Sequence, residues 1–169
     1  HMITNFLFNN IIIIDNFENE SFSKSFQSEI GIEILEKIGI KIAYNFLDVY
    51  KNINGHKHRL PFISKHHLLN TFSYRPIESN WNIDLNIHWF GRKKLQNTEQ
   101  NPIQYQRTNY SSPYTMINMQ ITREFSNYDI YLGCENLFDF KQENPIIAAD
   151  DPFGEFFNIS NIWGPTRGR

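Results

Sequence analysis

The feature that most constrains this chain is a period-2 alternation of apolar and polar residues, repeated along most of its length and punctuated by connections of alternating length. Even positions Phe26, Ile30, Ile32 and Ile34 are apolar, while Gln27, Glu29 and Glu33 between them are polar. The same pattern runs through Ile38, Ile40, Ile42, Tyr44 and Phe46, then through Trp81, Ile83, Leu85, Ile87 and Trp89, which alternate with Asn82, Asp84, Asn86 and His88. Ile117, Met119, Ile121 and Phe125 likewise oppose Asn118, Gln120, Thr122 and Glu124, with Arg123 interrupting the apolar row where a long side chain can snorkel. Side chains of a strand alternate between faces, so each segment predicts a strand with one apolar and one polar side. The strands read as Ser25–Ile34, Ile38–Val49, His66–Tyr74, Trp81–Trp89, Tyr114–Phe125 and Asp129–Leu137.

The connections are Leu35–Lys37 (short), Tyr50–Lys65 (long), Arg75–Asn80 (short), Phe90–Pro113 (long) and Ser126–Tyr128 (short), and an irregular stretch follows Leu137. Consecutive antiparallel strands place alternate connections at opposite ends of a sheet, so all long loops gather at one end. Outer-membrane barrels have this asymmetry, with short periplasmic turns and long external loops. Trp81 and Trp89 lie on one face about 27 Å apart at about 3.3 Å per residue. Tilt reduces that to roughly 20 Å, comparable with an apolar band of about 25 Å bounded by aromatic girdles. Further aromatics stand near strand ends at Tyr44, Phe46, Tyr50, Phe72, Tyr74, Tyr114, Phe125 and Tyr128. The strands also exceed the usual soluble length of about five or six residues.

The expected fold is therefore all-β: an antiparallel up-and-down meander forming an incomplete transmembrane β-barrel. Phe6–Ile14 reads as a first outward strand and Asp15–Lys24 as its external loop. That makes about seven strands, with the closing strand of an even-numbered barrel absent. His1-Met2 reads as a cloning scar, and 3–169 as one segment without an internal linker or leader. Two alternatives cover the apolar face differently. A soluble β-sheet or β-barrel binding module would bury it against itself, and a structural piece would complete a barrel with another chain.

Composition excludes other classes. No apolar run approaches the about 18 residues of a helical span, and mean hydropathy is −0.49. The net charge of −2 gives no nucleic-acid footprint; Arg92, Lys93 and Lys94 form only a small cluster. The single cysteine, Cys134, precludes an internal disulfide and reads as a small apolar strand residue. No nucleophile–base pair, phosphate loop or paired-carboxylate signature stands out, so no catalytic residue and no cofactor is assigned. His56-Lys-His58, His66-His67 and the group Glu143, Asp150 and Asp151 read as solvated loop residues, leaving no metal assignment. The Asn-x-Ser matches at Asn19, Asn109 and Asn158 follow from a high asparagine content. Candidate ligand contacts come from the long loops: Arg107, Tyr110 and Trp163, because Arg and aromatics dominate recognition.

The run Tyr131-Leu-Gly-Cys-Glu-Asn-Leu-Phe-Asp139 resembles the YxGxENLFD-type strand near the end of TonB-dependent outer-membrane receptors. Its continuation through Lys141–Ile147, Asp150–Gly154, Ile162–Pro165 and Gly168-Arg169 is similar to the last external loop of Bacteroidetes-type members. Tyr114–Gln120, Trp89–Arg92 and Ser23–Glu29 resemble earlier strands of that barrel. The resemblance implies a C-terminal portion of a plugged barrel of about 22 strands whose intact parent imports a scarce ligand by energy-coupled transport. The implied partners are outer-membrane lipid, the plug and remaining strands, TonB acting through the plug segment absent here, and an imported small ligand. The implied location of the parent is the bacterial outer membrane.

Overall fold

The computed structural model describes residues 3–8, 11–16, 20–53, 55–77 and 79–169. It contains β1 (Ile3–Phe8), β2 (Ile11–Asn16), β3 (Ser21–Ile34), β4 (Ile38–Ile53), β5 (His56–Arg59), β6 (His66–Tyr74), β7 (Trp81–Phe90), β8 (Tyr114–Glu124) and β9 (Asp129–Cys134). A 3-10 turn at Ile103–Tyr105 lies in the β7–β8 loop. The main sheet is a seven-stranded antiparallel meander in the order β3-β4-β6-β7-β8-β9, with β5 folded back on β4. It does not close on itself; β3 and β9 are its edges.

The register joins the alternating rows into one continuous face. Ile30 pairs with Ile42, Ile40 with Phe72, Phe72 with Leu85, Leu85 with Met119, and Ile121 with Leu132. Ser28 and Asn70 interrupt this face, and Arg123 and Trp81 pair at its short-turn end. It is uncovered: Ile30 is 64% exposed and Leu132 76%, whereas Ile147 in the C-terminal loop is 1% exposed. The other face is a ladder of polar pairs. Thr71 Oγ1 donates to Asn86 Oδ1 (2.9 Å) and Ser73 Oγ to Asp84 Oδ1 (2.7 Å). On the same face Lys41 pairs with Glu29 (2.9 Å), and the Asn82 amide donates to Glu124.

Burial concentrates instead at the long-loop end. Leu95, Thr98, Ser111, Tyr114, Asn136, Gln142, Ile147, Ala148 and Asn161 are all buried there, in or beside the β7–β8 loop and the segment after β9. A sheet with one uncovered apolar face and a packed cap at one end inverts the usual arrangement, in which the apolar face carries the core.

Several sequence boundaries need correction. Phe6–Ile14 is not one strand: β1 and β2 form a separate antiparallel pair with Phe8 opposite Ile11 and Ile3 opposite Asn16. Asn9-Asn10 interrupt the run with residue types that favour turns; these two residues, like 17–19, lie outside the described set. Asp15–Lys24 is not a loop, since Asp15 and Asn16 belong to β2 and Ser21–Lys24 to β3, paired with Asp48–Lys51. Within Tyr50–Lys65, β4 continues to Ile53 and β5 returns antiparallel to it, with Gly55 at positive φ (78°) where the chain reverses. The last strand ends at Cys134, short of Leu137, because Asn136 takes a left-handed conformation (φ 49°) that breaks the regular ladder, although the Leu137 N–H still donates to the Ile117 carbonyl of β8 (2.7 Å).

Candidate ligand-facing surface at the long-loop end

On the polar face, the loop ends of β6, β7 and β8 carry His67, His88, Phe90 and Tyr114. The antiparallel register places His67 opposite Phe90 and Phe90 opposite Tyr114. Their rings stack as a row: His67 on Phe90 at 4.4 Å and 7°, Phe90 on Tyr114 at 4.9 Å, and Tyr114 on Phe140 at 4.9 Å and 3°. Trp163 closes the row, tilted against Tyr114 and Phe140. His88 extends it at the other end, 3.4 Å from His67 between ring nitrogens. Offset and stacked rings of this kind add about 0.5–1.5 kcal/mol per pair beyond area burial.

Lys93 fixes the row to both loops. Its Nζ donates to the Trp163 carbonyl (2.6 Å) and to the Tyr114 hydroxyl (3.1 Å), and lies 5.1 Å from the Tyr114 ring centre. Gln142, buried beneath, accepts from the backbone N–H groups of Trp163 (2.8 Å) and Gly164 (3.1 Å), and donates to the Asn161 carbonyl (3.1 Å). Asn136 is the other anchor. Its N–H donates to Asn118 Oδ1 on β8, and its side chain both donates to and accepts from the Phe140 backbone (2.9 and 3.0 Å). Beyond it Asp139 accepts the Arg169 N–H (2.8 Å) and pairs with Lys141 (3.1 Å). These bonds hold the Asp139 carboxyl below its ordinary value, the Arg169 N–H contributing most.

The arrangement is a wall of side-on rings with an ammonium group already satisfied by protein acceptors. It can offer ring edges, polar donors and acceptors from the ladder below, and loop surface. It assembles no nucleophile with a base.

The sequence candidates fall in separate places. Trp163 belongs to the ring row. Tyr110 is half-exposed on the β7–β8 loop, bridged to Lys94, and lines a depression with Arg59, Lys65, His66 and Trp89. Arg107 is turned back on its own loop, its Nη1 donating to the carbonyl of Gln106 (3.1 Å). Among the described residues no contact joins Arg107 to the other two. His67, Phe90, Lys93, Tyr114 and Phe140 were missed. The signal for the first, second and fourth is parity: they occupy the polar row at the loop ends of adjacent strands, where large rings break a polar pattern. His56 and His58 are exposed, and Asp150 accepts from the Tyr105 hydroxyl (3.2 Å). No group of three or more His, Cys, Asp or Glu able to hold a metal occurs among the described residues. No protein-family model matches the chain, and no curated protein matches it.

Proposed function

We propose that this chain is part of the wall of an outer-membrane β-barrel, the C-terminal portion of a TonB-dependent receptor whose intact parent imports a scarce ligand. The observation that carries this reading is the uncovered apolar face spanning β3, β4, β6, β7, β8 and β9. Water leaves such a surface unstable and aggregation-prone, whereas lipid covers it without further packing. Its dimensions agree: β7 presents Trp81 and Trp89 at its two ends, about 27 Å apart along the strand. The polar face and the ring row then face the barrel interior, and the packed loops cap the external end. The receptor class is supported by the Tyr131–Asp139 run, in which Asn136 ties the last strand to β8 and to the following loop. The ligand meets the loop cap and ring row first, and import is a property of the parent with its plug.

The test is the oligomeric state and circular dichroism of the chain, in buffer and in a neutral detergent. A β-rich monodisperse species only in detergent supports the reading. A folded monodisperse species in plain buffer overturns it and favours a soluble binding module. Receptor class is tested separately, by whether the encoding gene specifies a plug domain upstream of this segment.

A further inference from the structure

We propose that the outward rim at the long-loop end binds the phosphate-bearing headgroups of an anionic lipid. This rests on reading the apolar face as lipid-facing. By register, Phe22 and Lys24 of β3, Phe46, Asp48 and Tyr50 of β4, and Lys57 and Arg59 of β5 share that face. Asp48 lies two residues, about 7 Å, beyond Phe46, just outside the apolar band. It is buried and holds two cations: Arg59 Nε at 3.2 Å and Lys65 Nζ at 3.0 Å, with Tyr50 OH at 2.8 Å. Lys65 also stands 5.2 Å from the Phe46 ring, and Lys57 stands 5.1 Å from the Phe22 ring. Arg92 lines one depression with Arg59, Lys65 and His66, floored by Trp89 and Gly91.

Five cations thus share this rim: Arg59 and Lys65 on Asp48, Lys24 opposite it in register, Lys57 on β5, and Arg92 beside Arg59 and Lys65. Against Asp48 and Glu20, just before β3, that is a surplus of three positive charges. The short-turn end carries both signs: Glu36, Lys37, Arg75, Arg123, Glu124 and Asp129, with Arg123 on the apolar face against Trp81 and Phe125. On the polar face at the long-loop end, Lys93 is engaged by Tyr114 and Trp163. The positive surplus therefore lies on the face that lipid would touch, at the level where acyl chains give way to headgroups. The Lys57 and Lys65 ammonium groups lie over the Phe22 and Phe46 rings at the band's edge, where their charge faces the headgroup level. The Arg92 guanidinium presents a fork that matches a phosphate, and each cation at an anionic surface strengthens binding severalfold.

The experiment titrates the chain, in neutral dodecyl maltoside micelles, with acyl-chain dansylated phosphatidylglycerol or phosphatidylcholine. Energy transfer from tryptophan is the readout, and circular dichroism is recorded on the same samples. The expected result is about tenfold tighter binding of phosphatidylglycerol. That preference falls to about twofold or less in Lys24→Gln/Lys57→Gln/Arg92→Gln, and partly in Arg92→Gln alone. These positions leave the Asp48 ion pairs in place. Equal affinity for the two lipids, or a preference that survives in the folded triple variant, overturns the inference while the barrel reading stands. A chain that folds as a monodisperse species without detergent overturns both.

Discussion

Lys93 and Trp163, seventy residues apart in sequence, are joined by a 2.6 Å hydrogen bond from ammonium to carbonyl. The bond couples the β7–β8 loop to the segment after β9, and it does so directly above the ring row. Charge-assisted bonds of this kind contribute roughly 1.5–3 kcal/mol when sheltered. Lys93→Met therefore frees the Trp163 segment from the sheet. In a Trp81→Phe/Trp89→Phe background, Trp163 emission shifts to the red and becomes more accessible to iodide. Tyr114→Phe, which keeps the ring stack and the Trp163 carbonyl bond, changes it little.

The two sides of β7 and β8 respond oppositely to charge. Leu85 sits mid-strand on the apolar face between Phe72 and Met119, while Gln120 sits on the polar face opposite Asp84. Leu85→Arg costs about 2–4 kcal/mol in a bilayer or micelle if lipid covers that face. Gln120→Arg is close to neutral, because it meets Asp84 in a wet environment. Urea titration of the folded fraction in detergent distinguishes the two.

Asn136→Ala removes two side-chain bonds to the Phe140 backbone and leaves a left-handed position to a residue that disfavours it. A loss of about 2 kcal/mol in local stability follows. Amide exchange at Phe140 reads it directly, accelerating well before exchange in β8.

Asp139 is half-exposed, and its effect is local. Its carboxyl titrates below the ordinary 3.8 because the Arg169 N–H, and then Lys141, favour the charged form. A carboxylate lowered on folding stabilises in full above its unfolded value and loses that contribution as pH falls through its lower folded value. Docking of Arg169 thus persists at neutral pH, weakens below pH 3.8 and is lost in stronger acid. The Arg169 amide chemical shift follows this titration, and Asp139→Asn abolishes it.

The meander was legible because alternation and turn spacing are local properties. Trp81–Trp89 and Ile38–Phe46 carry their faces in their own residues, and pairing neighbours in order needs nothing else. The boundaries failed where competing local chemistry decides. Ile3–Phe8 and Ile11–Asn16 pair with each other where the sequence reads as a single apolar run, the β4 extension depends on a returning β5, and Asn136 ends β9 through bonds to residues on either side. The ring row was hidden for a different reason. His67, Phe90 and Tyr114 each look like ordinary strand-end aromatics, and only the register between three strands makes them neighbours. Phe140 and Trp163 lie in irregular chain, where sequence carries no period to read.

The central claim, that lipid covers the apolar face, is tested most directly by brominated-detergent quenching of single-tryptophan variants. Trp81 and Trp89 stand on the apolar face at its two ends, 42% and 37% exposed, while Trp163 sits in the loop cap. Strong quenching of Trp81 and Trp89 in brominated dodecyl maltoside, with Trp163 unaffected, is the predicted result. Trp81 and Trp89 left unquenched in a folded chain would contradict the account.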